Sequence, residues 1–190
     1  MDALGVLEAG GLRPGLRHLA NSAAAIARPA SHLDLIRVGI ASYGLPPAAG
    51  MVLDVPLRPV MTLRGRLAGV KRVEAGSAVS YGGTHVVDRE TTLGLVPLGY
   101  GDGIPRHASG KLTAAHDGRR VPIVGTVAMD QVVVDLGDAS AGLGDVVTLF
   151  GPGDDGEPTA EEWATAADTI GYEIVTRIGG RVRRTFRGAR

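Results

Sequence analysis

A five-residue stretch, Pro46-Pro47-Ala48-Ala49-Gly50, divides this chain into two parts whose residue patterns differ. The residue before a proline is steered away from helix, and consecutive prolines stiffen a linker. Ahead of the stretch, residues 16–20 read as a short strand. Asn21-Ser22 reads as a cap, 23–27 as a helix stopped before Pro29, and 33–38 as a second strand stopped at Gly39. Strand, helix, strand with short links is the pattern of a βαβ unit, and so of a parallel sheet or an α/β barrel. Two strands cannot close a barrel or cover both faces of a parallel sheet, so such a unit normally needs more chain upstream. An opening helix over 4–9, closed by Gly10-Gly11, and a segment broken at Pro14 complete this part.

Beyond the prolines the chain becomes a series of β-type runs at 59–73, 78–87, 91–98, 119–127, 131–136 and 145–150, separated by turns containing Gly or Asp. That spacing predicts an antiparallel sandwich or barrel. Thr159-Ala160-Glu161-Glu162 is a capping box, and Trp163, Ala166, Ala167 and Ile170 follow at helical spacing, with Gly171 expected to close the helix. Residues after Tyr172 read as a last strand. Its basic tail, with Arg177, Arg181, Arg183, Arg184, Arg187 and Arg190, reads as a solvated, partly frayed end. The expectation is an α/β remnant over 1–50 followed by an all-β domain over 51–190 with one short helix.

Composition removes several classes of function. Lys+Arg and Asp+Glu each total 20 in 190 residues, so the net basic field that nonspecific nucleic-acid binding relies on is missing. No apolar run approaches the roughly 20 residues of a membrane span, and the first residues lack a signal pattern. The sequence therefore reads as cytoplasmic, with neither nucleic acid nor membrane as partner. The absence of cysteine excludes thiolate catalysis and Cys-based zinc sites, and the five histidines show no metal-ligand spacing. No metal is expected. Lys71 and Lys111 are the two lysines, so a mechanism needing a buried lysine must use one of them or borrow one.

Four groups of residues could carry chemistry. Ser22 with Gly39-Ile40 lies just past the ends of successive strands, where barrels build phosphate sites from hydroxyl and backbone N–H groups; a capping serine and a turn glycine would look the same. Arg37 interrupts an apolar strand, which places it on a solvated face or against a definite partner, and His18 at the end of the previous strand could hold its guanidinium. An Arg that cannot give up its proton would keep a facing ring nitrogen unprotonated. Val79-Ser80-Tyr81-Gly82-Gly83-Thr84 reads on its own as a turn. Gly99-Tyr100-Gly101-Asp102-Gly103 and Val124-Gly125-Thr126-Val127-Ala128-Met129-Asp130-Gln131 are weak signals separately, Met129 being most often core.

Together with His18-Leu19-Ala20-Asn21-Ser22-Ala23 and Arg37-Val38-Gly39-Ile40-Ala41-Ser42-Tyr43-Gly44, these motifs in this order resemble those of the bacterial alanine racemases over nearly the whole chain. The resemblance implies the last strands of a TIM-type barrel followed by a complete β-domain. It implies an isomerase dependent on pyridoxal 5'-phosphate that interconverts L- and D-alanine and supplies D-alanine for peptidoglycan precursors. By the same resemblance Tyr81 is the catalytic tyrosine. Arg37 contacts the pyridine nitrogen with His18 in support, and Ser22, Gly39 and Ile40 bind phosphate. Met129, Asp130 and an entrance Tyr100 face the substrate, alanine. The site would be shared across a homodimer. Racemisation needs two acid/base groups on opposite sides of a flat cofactor, and a tyrosine acting as one needs neighbouring cations or hydrogen bonds to bring its pKa down.

The chain also departs from the family pattern. The cofactor lysine lies upstream of residue 1 in that pattern, as does the histidine that partners the tyrosine, and neither Lys71 nor Lys111 matches it. Gly180 stands where many members carry a phosphate-binding tyrosine, and Thr126 replaces a common arginine. The expectation is thus a fragment inactive alone. A noncatalytic β-domain used for dimerisation or binding is the alternative.

Overall fold

The computed structural model describes residues 3–13, 15–48 and 50–188, so Pro14, Ala49 and Arg190, which figured in the expected segment break, linker and tail, lie outside it. The chain divides into two compact units, Met1–Arg58 and Pro59–Arg190.

In the first unit, helix α1 (Ala3–Ala9) ends at Gly10-Gly11, where Gly11 takes φ 78°. Strand β1 (His18–Asn21), helix α2 (Ser22–Ala27) and strand β2 (Leu35–Arg37) follow. The two strands pair in parallel, His18 opposite Leu35 and Asn21 opposite Arg37. Arg17 ties their starts together, its backbone N and Nε both donating to Asp34 Oδ2 at 2.9 Å. The Asn21 side chain accepts from Ala24 N at 3.0 Å and caps α2. Leu19, Leu35, Ile36 and Val38 stay exposed, the consequence of a two-stranded parallel sheet with too few neighbours to cover it.

The second unit is built on a seven-stranded antiparallel sheet. Its strands are β3 (Leu63–Arg66), β4 (Gly69–Val73), β7 (Thr91–Val96), β8 (Thr113–His116), β9 (Arg119–Val124), β10 (Val132–Gly137) and β11 (Val146–Phe150), while β5 (Ala78–Val79) and β6 (His85–Val86) form a separate hairpin. The order across the sheet is β3-β11-β8-β9-β10-β7-β4. The edge strands β3 and β4 are adjacent in the chain, joined only by Leu67-Ala68. Leu67 N donates to Asp145 O at 2.9 Å and Ala68 N to Leu95 O at 2.8 Å, so one corner bonds to the chain at both margins. The sheet therefore curls back on itself, as in a barrel. The run 59–73, which reads as one strand, is two strands at opposite margins.

Inside the curl Val132, Val134 and Leu136 point inward at every second residue of β10, as a sheet with one buried face requires. Space there is short. A Cβ on Gly94 would come within 2.7 Å of Leu67 Cδ2 and 3.0 Å of Leu136 Cδ1, so close packing requires glycine at that position.

Helix α3 (Ala160–Ala166) starts with the expected capping box: Thr159 Oγ1 accepts from Glu162 N at 3.2 Å and Glu162 Oε2 from Thr159 N at 2.7 Å. Trp163 is buried edge-on against Phe150, ring centroids 5.4 Å apart, and its Nε1 donates to Thr113 O at 2.9 Å.

Three expectations fail in this region. The left-handed turn after α3 falls on Asp168, φ 50°, so Gly171 opens a second helix, α4 (Gly171–Arg177), rather than closing the first. The expected last strand is this helix, with Ile174 and Ile178 buried at helical spacing; the unit has two short helices, not one. The tail, finally, is not simply solvated. Arg177 pairs with Glu173 at 3.0 Å, Arg181 with Asp102 at 2.9 Å, and Arg184 Nη2 donates to Ile178 O at 2.9 Å. Among the described residues no helix is long and apolar enough to cross a membrane.

Candidate active site

In the second unit the site begins with the β5–β6 hairpin, whose turn carries Tyr81. The preceding Ser80 adopts φ 64°, ψ −174°, a region that residues other than glycine almost never occupy. Two features hold it there. Ser80 Oγ donates to Thr126 O at 2.6 Å, and Gly125, itself at φ 71°, lets the Val79-Ser80 backbone approach. A Cβ on Gly125 would lie 2.8 Å from Ser80 Cβ and 3.0 Å from Val79 O. Thr126 Oγ1 also reaches Tyr81 O at 3.4 Å and Thr84 Oγ1 at 3.1 Å. The strained serine thus anchors a tyrosine that is itself 73% exposed.

A second close approach builds the other wall. Tyr100 N donates to Ala128 O at 2.9 Å and Gly101 N to Met129 O at 2.8 Å. A Cβ on Gly99 would overlap Ala128 O and come within 2.6 Å of Asp130 N, so glycine is needed for the Gly99–Gly103 turn to lie on the 128–130 segment. Between these walls is an open recess of about 370 Å³ lined by Tyr81, Tyr100, Arg106, Thr126, Met129 and Asp130, among others. All four residues singled out in the β-domain meet in it.

Beneath the turn, Asp102 is buried. Its carboxylate accepts from Gly99 N at 2.9 Å and from Arg181 Nε and Nη2 at 2.9 and 3.0 Å. The Arg181 guanidinium is the main reason that Asp102 ionises below the ordinary carboxylate range, burial opposing it.

In the first unit, Arg37 Nη1 lies 2.6 Å from His18 Nδ1. A guanidinium only donates, so Nδ1 is the acceptor and the ring steers the Arg37 head. Ser22 is buried, and its Oγ accepts from Gly39 N at 3.0 Å and Ala41 N at 3.4 Å. Because Asn21 caps α2, Ser22 does not have that role, and neither of its bonds uses the hydroxyl proton. A Cβ on Gly39 would meet nothing within 4 Å. Ile40 begins the short 3-10 turn Ile40–Tyr43. His18, Ser22, Arg37, Gly39 and Ile40 thus form one local group. Among the described residues no group of three or more metal-ligating side chains occurs.

Residues 60–186 match the alanine racemase C-terminal domain and residues 1–47 its N-terminal domain. The chain belongs to the alanine racemase family. It is 60% identical to alanine racemase of Thermobifida fusca over 99% of this chain and 50% of that protein. Against alanine racemase of Streptomyces coelicolor it is 57% identical over 93% of this chain and 46% of the relative. Among solved structures, alanine racemase from Streptomyces coelicolor A3(2) superposes with a TM-score of 0.92 at 54% identity, covering 98% of this chain and 49% of the other. Alanine racemase from Bacillus anthracis with bound L-Ala-P gives a TM-score of 0.86 at 37% identity, covering 93% and 46%. The chain spans about half the length of the curated relatives it matches. Alanine racemases are isomerases, and a barrel remnant followed by a β-domain agrees with this membership.

Sequence reasoning missed Arg106 and Arg181. Arg106 sits six residues past Tyr100 behind Pro105, which offers no periodicity to reveal it. Arg181 was hidden among the other arginines of the tail.

Proposed function

We propose that this chain supplies the C-terminal half of a pyridoxal-phosphate-dependent alanine racemase, with Tyr81 as one of the two acid/base groups. The observation that carries the reading is the convergence of Tyr81, Tyr100, Met129 and Asp130 on one recess. Tyr81 stands where it can exchange a proton with a small substrate, its backbone fixed from behind through Ser80 and Thr126. Tyr100 and Met129 narrow the recess, and Asp130 and Arg106 supply charge of both signs.

The residues of the first unit fit the cofactor's two ends. Ser22 Oγ accepts from Gly39 N and Ala41 N and so keeps its hydroxyl proton to give, and the open space at Gly39 leaves room for a phosphate beside that hydroxyl and the Ile40 backbone. Arg37, steered by His18, would donate to the pyridine nitrogen and keep it unprotonated. When bound, pyridoxal phosphate supplies the electron sink that makes the substrate Cα–H acidic. An unprotonated ring nitrogen weakens that sink, which restrains transamination; an Arg37→Glu enzyme with no gain in transamination would argue against this role.

The attachment lysine and the second acid/base group belong to the other half of the enzyme. We place the complete site across a homodimer in the cytoplasm, turning over alanine for D-alanine biosynthesis and peptidoglycan precursors. The test is to combine this chain with the upstream half of an alanine racemase barrel, add pyridoxal phosphate and D-alanine, and follow L-alanine. Activity is expected in the combination, not in this chain alone, and Tyr81→Phe should abolish it. Turnover by the isolated chain that Tyr81→Phe removes would overturn the fragment reading. A combination that binds but turns over nothing would favour a noncatalytic dimerisation or binding module.

A further inference from the structure

The C-terminal segment makes an unexpected set of contacts with the Gly99–Gly103 turn. Gly179 N donates to Asp102 O at 3.3 Å. A Cβ on Gly103 would lie 2.6 Å from the Arg177 carbonyl carbon and 2.9 Å from Ile178 N, so turn and segment touch through bare backbone. Arg181 then reaches over the turn. Its Nε and Nη2 grip both Asp102 carboxylate oxygens, and Nη2 also donates to Pro97 O at 3.1 Å and Asp130 O at 3.0 Å. One guanidinium thus ties the strand leading into the turn, the turn's buried acid and the backbone of Asp130, a residue of the recess. A buried carboxylate is costly unless its oxygens are paired, and the planar fork of arginine satisfies two oxygens while lysine offers a point charge.

We propose that Arg181 is a positioning residue that locks the Tyr100 turn onto the Met129-Asp130 segment, so that the C-terminal segment sets the shape of one wall of the recess. The importance of that wall for substrate rests on the racemase reading; the clamp itself does not.

The test uses the full 190-residue chain and hydrogen exchange at the amides of Tyr100 and Gly101, which bond to the 128–130 segment, with Val134 in β10 as reference and Trp163 fluorescence reporting global unfolding. Arg181→Gln should speed exchange at Tyr100 and Gly101 by at least about tenfold while Val134 changes less than about twofold. Arg181→Lys, the milder variant should the glutamine variant fail to fold, should give a smaller increase at the same two amides, because one contact to Asp102 survives. In the reconstituted enzyme, Arg181→Lys should raise the KM for alanine more than it lowers kcat. Exchange at Tyr100 and Gly101 that follows Val134 in the lysine variant would overturn the clamp. An inactive reconstituted enzyme with the expected exchange pattern would instead sink the racemase reading and leave the clamp standing.

Discussion

Replacing Ser80 by glycine and by alanine separates backbone strain from hydrogen bonding directly behind Tyr81. Ser80 lies at φ 64°, ψ −174°, where a Cβ costs about 1–3 kcal/mol. Its hydroxyl donates to Thr126 O at 2.6 Å, and since Ser80 is exposed this bond contributes toward the lower end of about 0.5–1.5 kcal/mol. Alanine loses the bond and keeps the strain, so Ser80→Ala should destabilise by about 0.5 kcal/mol. Glycine loses the same bond but releases the strain, offset by about 0.5–1 kcal/mol of extra freedom in the unfolded chain. Ser80→Gly should therefore fall near the parent and above Ser80→Ala by about 1 kcal/mol, the reverse of the usual order for these residues. Trp163, the single tryptophan, is buried against Phe150 in the second unit, so its fluorescence follows that unit's thermal unfolding. The predicted gap is about 3–5 °C in Tm for a unit of this size. An alanine variant at least as stable as the glycine variant would refute the strained geometry.

Gly99→Ala should destabilise by about 1–3 kcal/mol or more, because its methyl group must push Ala128 O and Asp130 N aside, and the same unfolding assay reads the loss. Gly39→Ala, whose methyl meets open space, should leave α/β-unit circular dichroism unchanged and weaken pyridoxal phosphate binding to the reconstituted enzyme at least tenfold by equilibrium titration. Acid should weaken the second unit through Asp102. Its carboxyl is held low by Arg181, so its contribution is complete above the ordinary carboxylate pKa and is lost as pH falls through the depressed folded value. Asp102→Asn should flatten that limb in urea titrations across pH. Glu161 is shifted the other way by burial, so Glu161→Gln should gain stability at pH 7, a gain that is lost as pH falls through the raised folded value and is gone once pH is below the ordinary carboxylate pKa.

How far the sequence could be read depended on whether the controlling interactions were local. The α2 cap, the Thr159 capping box and the β-type run at 131–136 are set by residues within a few positions of one another, and all were legible. Strand β8 was not, because Thr113-Ala114-Ala115-His116 has little β-propensity and is held in the sheet by its neighbours β11 and β9. Gly171 misled for a related reason. A glycine after a helical run signals a cap, yet Asp168 takes the left-handed turn and Gly171 lies at the start of α4 beneath the Glu161 carboxylate. Within the site, Tyr81, Tyr100, Met129 and Asp130 were found through ordered motifs, not through any local physical signal. What holds them could not be found that way: Ser80 is fixed by Thr126, 46 positions away, and Asp102 by Arg181, 79 positions away. Here the motifs name residues that line the recess, whereas the residues that hold them are chosen by long-range geometry. Arg181 shows the difference, since nothing in its own stretch distinguishes it from Arg183 or Arg187 until the fold brings it to a buried carboxylate.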